Sequence, residues 1–276
     1  MLTFISACAF ITSVIFVALY KNSTSQNKAA TQRKYEIIFT LRQLLALCCQ
    51  HRRATHAGLT TENIHQEKLD SINEQILERS NHLIAIAHFN NKPSFRILQR
   101  NLLKLSQDWP AYTVARNQVT HGAAVRHCMY LMDEIAMNWL VESGKAEVSE
   151  QYHSNWQQIM DCMEALTQMR ISIQNRETQS GKLSTKYRCD TMRRKLNQLA
   201  LTCPFSVVSP TCSAAMRELE EMIDNPYYEP SNDQLYALSN DISDSIRNTY
   251  DKILLELTED LYKPLPEIKK TLEIHA

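Results

Sequence analysis

Two arginines stand where a helical core residue belongs. Leu41, Leu45, Cys48, Arg52 and Thr55 step by 4, 3, 4 and 3, so they share one helix face. Ile159, Met163, Leu166, Arg170 and Ile173 repeat that stripe, each 118 positions after its counterpart. Gln50-His51-Arg52 and Gln168-Met169-Arg170 share the pattern Q-x-R. A guanidinium on an apolar face needs an anion, either a carboxylate from a neighbouring helix or a bound ligand. If the two arginines face each other, their charges repel, and one small anion between them removes the conflict. The planar fork of guanidinium donors suits flat oxyanions such as nitrate, nitrite or a carboxylate. Arg53, about 100° round the helix from Arg52, reaches the edge of the same site.

Other residues of chemical interest are better read as structural. Glu62-x-x-His65 and Glu150-x-x-His153 have di-iron spacing, but both fall in the polar first turns of their helices, whereas such ligands project into the bundle centre. No metal and no cofactor is expected. Cys48 and Cys49 diverge on the helix and read as core rather than as a redox pair. His51 and His56 flank the arginines. Lys182, Lys186, Arg188, Arg193, Arg194 and Lys195 form the densest basic cluster, read as a solvated face. There is no phosphate-cradling glycine loop, HExxH or GxSxG, so no enzyme is expected.

The elements that must position the arginines are helices. Glycine is scarce at 4 and proline modest at 8, which disfavours a β-fold with its many turns. The first helix is expected from Thr31 to Ala57, ended by Gly58, with Thr60 capping a second from Thr61 to His88. A third follows Pro93 to Gln107. A short helix over Tyr112–Val119 leads to Gly122, and a fourth long helix runs on to Val141. A fifth spans Val148–Gln179. Ser184 caps a sixth to Leu201, Ser209-Pro210 opens a seventh to Asp224, and Ser231 with Gln234 forms a capping box for the last, to Tyr262.

Leu2–Tyr20 carries no charge over 19 residues, enough to cross a bilayer as a helix. The expectation is an uncleaved transmembrane anchor over 1–21. Residues 22–31 are either a juxtamembrane linker or a continuation of the anchor helix. Two packed four-helix bundle halves follow over 32–143 and 144–264, with a tail over 265–276, making the fold class all-α. Lys21, Lys28, Arg33 and Lys34 follow the run and place the soluble part on the cytoplasmic side. The 8 cysteines, none in a CxxC pair, agree as free thiols in a reducing compartment. Net charge is zero, so nucleic acid is not an expected partner.

Four stretches in order resemble the nitrate- and nitrite-sensing NIT domain family, an all-helical bacterial module of two four-helix bundles. LCCQHRRATHAGL is similar to its L-x-x-x-L-Q-x-E-R-G-x-S-A-G stretch, and ALTQMRISI to its G-Q-L-R-x-L. Arg116-Asn-Gln-Val119 with Tyr130-Leu-Met-Asp-Glu-Ile135 resembles R-x-x-V … Y-x-x-L-I. Tyr236-Ala-Leu-Ser239-Asn-Asp-Ile242 resembles W-F-x-x-A-T-x-x-I-D. The likeness spans Gln32 to Tyr262. The chain departs from it at Ala54, where the family has glycine, and before Gln168. The resemblance implies that Arg52, Arg53 and Arg170 contact nitrate or nitrite, with Arg247, one position off the Leu235, Leu238, Ile242, Ile246 stripe, as a further candidate. It implies a single-pass sensor of the bacterial inner membrane that signals through a separate partner protein, with a homodimer as one option. The rival reading is a non-catalytic helical scaffold at the membrane whose arginines pair internally with carboxylates.

Overall fold

The computed structural model describes residues 2–61, 65–203, 209–225 and 227–266; for 2–15, 17–20, 23–24 and 146 it describes the backbone alone. The described residues hold eight α-helices: α1 Leu2–Thr61, α2 Gln66–Ile86, α3 Lys92–Asp108, α4 Val114–Glu142, α5 Ala146–Ile173, α6 Gln179–Thr202, α7 Pro210–Asp224 and α8 Asn232–Leu261. Two single 3₁₀ turns flank α3, and no strand occurs among the described residues.

Contacts between helices close into two rings. α1 packs on α2, α2 on α3, α3 on α4, and α4 back on α1; α5, α6, α7 and α8 repeat the circuit. α4 packs on α5 and joins the two rings. The long helices α1, α4, α5 and α8 form the centre. Their apolar stripes supply Ile38, Leu41, Leu44, Val125, Met132, Ile159, Leu166, Leu235, Ile242 and Leu254, all essentially inaccessible to water. Burial of this kind is worth roughly 25 cal/mol per Å² and is what holds the helices together.

Several boundaries differ from expectation, each for a local reason. Residues 22–31 are helix throughout, so α1 runs unbroken from the uncharged segment into the first ring, a rod of about 90 Å at 1.5 Å per residue. Gly58 does not end it. The Thr60 hydroxyl donates back to the carbonyls of His56 and Ala57, so Thr60 belongs to α1 and does not cap α2. Glu62 lies outside the described residues. Gly122 is no break either: it sits mid-way along α4, where a Cβ would come 3.0 Å from the Thr167 hydroxyl of α5, so its missing side chain lets the two helices approach. α5 stops at Ile173, not Gln179, and Thr178 rather than Ser184 caps α6 by accepting from the Gly181 N–H. The Ser231–Gln234 capping box forms as expected. Gly144 ends α4 with φ +71°, a conformation that favours glycine.

Among the described residues no helix is long and apolar enough to cross a membrane. The side chains of the uncharged run over 2–20, Phe16 apart, lie outside those residues. Seven cysteines are described; all are buried and none forms a disulfide among the described residues.

Candidate functional site

Polar side chains are buried where the four central helices meet. His51, Arg52 and Thr55 come from α1, Asn117, Gln118 and His121 from α4, Thr167 and Arg170 from α5, and Ser239 and Ser243 from α8. Each sits on the inward stripe of its helix, so the periodicity that buries the apolar residues also buries these.

Arg52 is 1% exposed and Arg170 2%. The Arg170 Nε donates to the Ser239 hydroxyl at 2.9 Å and its Nη2 to the Ser239 carbonyl at 2.7 Å. The Arg52 Nη2 donates to the Ser243 hydroxyl at 3.3 Å. Both Nη2 atoms also reach one acceptor, the side-chain oxygen of Asn240, at 3.4 Å from Arg52 and 3.5 Å from Arg170. The two nitrogens therefore stand at most 6.9 Å apart, the sum of those distances. Among the described residues neither guanidinium has a carboxylate partner, and the Arg52 Nε and Nη1 have no hydrogen-bond partner at all. Burial pushes both guanidiniums below their ordinary range, and the charge of Arg52 pushes Arg170 further.

Arg53 and Arg247 are placed differently. The Arg53 Nη2 lies 2.6 Å from the Asp244 Oδ2, and the Arg247 Nη2 3.3 Å from the Asp244 Oδ1. One carboxylate thus serves the two outer arginines and leaves the inner two with neutral acceptors. Of the four sequence candidates, the fold brings all to the α1–α5–α8 junction; among the described residues only Arg53 and Arg247 pair directly with a carboxylate, and the charge of that same Asp244 reaches Arg52 and Arg170 without contact.

Histidines line the same junction. The His121 Nδ1 faces the Asn117 carbonyl at 2.8 Å, which assigns it the proton. Its Nε2 then accepts from the His51 Nδ1, also at 2.8 Å. Burial lowers His51 to about 4 and lowers His121 well below its usual range, with the charge of His51 adding to the latter. His56 packs on the Tyr236 ring at 4.2 Å and meets the Gln118 side-chain nitrogen at 3.3 Å. Burial first, then the charges of Arg170 and Arg52, lower His56 to about 4.

Elsewhere, the basic stretch over 182–195 is largely paired: Lys182 with Glu229, Arg193 and Arg194 with Asp190, and Lys195 with Asp161. A cavity of about 400 Å³ opens between α3 and α4, on another face of α4, lined by Lys104, Tyr112, Arg116 and His127 among others. Among the described residues no group of three or more His, Cys, Asp and Glu could hold a metal.

Ser239, Asn240, Ser243 and Asp244, the residues that contact these arginines, were not among the candidates read from the sequence. Their signal was a polar run, SNDISD, flanking the Leu235–Ile246 stripe, with Ser239 and Ser243 one turn apart. No family model, no curated protein and no solved structure matches the chain.

Proposed function

We propose that this chain is a membrane-anchored sensor that binds nitrate or nitrite between two four-helix bundles, as the resemblance to the NIT family implies. One observation carries the reading: two fully buried guanidiniums share a neutral acceptor, and among the described residues neither pairs with a carboxylate. Burying unpaired charge is costly, and a fold that only needed to pack would put an apolar residue or an acid there. A small planar anion supplies the missing charge to both arginines at once.

In this reading the uncharged run Leu2–Tyr20 is the anchor, and α1 is the transmission element. The same continuous helix carries that run and Arg52. Arg170 and the serines belong to α5 and α8, so an anion that draws Arg52 toward them shifts α1 against the second bundle. The shift is handed to a partner protein. By the positive-inside rule, the basic residues Lys21, Lys28, Arg33 and Lys34 support a cytoplasmic orientation of the bundles at a bacterial inner membrane in this reading. The scaffold reading draws support from the Arg53–Asp244–Arg247 cluster, which needs no ligand.

Thermal melting of the full-length chain in detergent, with nitrate, nitrite, chloride or sulfate at matched ionic strength, tests the proposal. Nitrate or nitrite raises the midpoint selectively, by about 2.7 kcal/mol of stability at a hundredfold excess over Kd. Arg52→Ala and Arg170→Ala abolish the rise. An equal response to all four salts refutes the sensor.

A further inference from the structure

The acceptor shared by the two arginines belongs to a residue with three unusual features. First, the contacts of Asn240 are long, 3.4 and 3.5 Å, at the outer limit of an N–H···O bond. Those from Arg170 to Ser239, at 2.9 and 2.7 Å, are ordinary. Arg170 is therefore held by Ser239 whether or not Asn240 stays in place. Second, Asn240 is half-buried while Ser239, Ser243 and both arginines are buried. It stands between the guanidiniums and the exterior. Third, its carboxamide is a flat group with an oxygen at one corner, similar in shape to one edge of a planar oxyanion but without the charge. Charged acceptors bind guanidinium roughly twice as strongly as neutral ones.

We infer that the Asn240 side chain is a displaceable cap on the anion site, occupying with its amide oxygen the position that a planar oxyanion takes between Arg52 and Arg170. This rests on the reading of those arginines as an anion site and adds the device that sets its threshold. Entry of an anion rotates Asn240 outward, toward the solvent it already partly faces. Arg170 stays on Ser239. Arg52 keeps Ser243, and its unpartnered Nε and Nη1 remain as donors. The affinity for nitrate or nitrite is then a difference: what the anion gains on the two guanidiniums, less what Asn240 gives up. A neutral cap makes the site respond to charge and exchange readily.

Two substitutions act in opposite ways on a cap. Asn240→Ala removes the competitor and leaves the guanidiniums untouched. Asn240→Asp puts a tethered carboxylate where the anion would sit. Isothermal titration of the full-length chain in detergent, with sodium nitrate and with sodium nitrite at fixed ionic strength, is compared across wild type and both variants, with a melting curve for each. Asn240→Ala is expected to bind about tenfold more tightly, since a modest hydrogen bond to a charged group no longer has to be broken. Asn240→Asp is expected to melt higher without added anion and to show no binding heat.

If wild type binds and Asn240→Ala binds equally or more weakly, Asn240 is a bystander or a ligand contact and the cap is refuted, while the sensor reading stands. An Asn240→Asp chain that responds like wild type refutes the cap as well. If Asn240→Ala binds where wild type does not, the cap is supported in its strongest form. If neither binds either anion, the anion-site reading fails and the cap with it. Should Asn240→Ala not fold, the Asn240→Asp comparison decides alone.

Discussion

Replacing Arg52 with methionine should make the anion-free chain more stable. Arg52 is buried to 1% exposure, makes two contacts of 3.3 and 3.4 Å to neutral oxygens, and leaves two nitrogens unpartnered. The Nη2 of a second guanidinium, Arg170, stands at most 6.9 Å from its own Nη2, and the more distant Asp244 carboxylate offsets only part of the repulsion from Arg53 and Arg247. At an effective dielectric of about 20, two like charges at ~7 Å repel by about 2 kcal/mol. Methionine of similar length removes that repulsion and the desolvation of a cation. It forfeits two weak hydrogen bonds worth at most about 1 kcal/mol each, and Asn240 keeps its contact with Arg170. The net expectation is a gain of about 1 to 3 kcal/mol, in line with apolar replacement of other uncompensated buried charges. For a chain of this size that is about 3 to 10 °C in midpoint. The internal control is Arg42→Met on the same helix. Arg42 is also buried, but it donates from Nε to Asp251 at 3.0 Å. Removing it strands a partly buried carboxylate, and a loss of about 1 to 3 kcal/mol is expected. Urea denaturation followed by helical circular dichroism, at low ionic strength without nitrate, measures both. The reasoning is refuted if Arg52→Met loses more than about 1 kcal/mol, the result for an arginine whose role is to hold the fold together.

The junction also makes stability depend on pH. His51 and His56 titrate at about 4 in the folded chain, and burial holds His121 well below its usual range, against about 6.5 unfolded. The unfolded chain binds the extra protons, so stability is full above about pH 6.5 and falls toward pH 4, by up to about 1.4 kcal/mol per unit per histidine. Asp133, raised to about 6 by burial, acts oppositely and offsets about one histidine between pH 6 and 4. Denaturant midpoints across that range should decline, and a flat profile would contradict the burial of the three imidazoles. On the anion reading, nitrate screens the charges of Arg170 and Arg52 that help hold His56 down, so its pKa should rise on binding; an imidazole NMR titration with and without nitrate reads this, and no change counts against a nearby anion. Gly181→Ala should cost about 1 to 3 kcal/mol by overpacking, because a Cβ there would lie 1.6 Å from the Asn175 carbonyl oxygen; a neutral thermal midpoint would mean that the α5–α6 turn yields easily.

What the sequence revealed and what it concealed divide along range. Arg52 and Arg170 were legible because a helical stripe is a local property, and an arginine at a core position shows against it. The cap and start signals at Ser231 and Ser209-Pro210 were legible for the same reason. The partners of the arginines were not. Ser239, Asn240 and Ser243 lie 69 to 191 positions away in the chain, and no spacing rule connects them. Gly122 was misread because glycine often punctuates helices, whereas here it serves a close approach to Thr167 on another helix. Thr60 was misread because a hydroxyl can satisfy its own helix as readily as cap the next.

The arrangement of charge at the junction argues for a division of labour among the four arginines. Asp244 is shared by Arg53 and Arg247, both partly accessible, so the rim of the site is neutralised from within the protein. The inner pair is left with Ser239, Ser243 and Asn240, which supply geometry but no charge. Had Asp244 stood one turn earlier, at position 240, it would have satisfied both buried guanidiniums permanently. The chain has asparagine there instead, the neutral near-isostere of that acid. A fold built only for stability gains from the acid. A site that must take up and release an anion requires a partner that holds the two cations in position without cancelling them, and a carboxamide at the edge of the solvent meets that requirement.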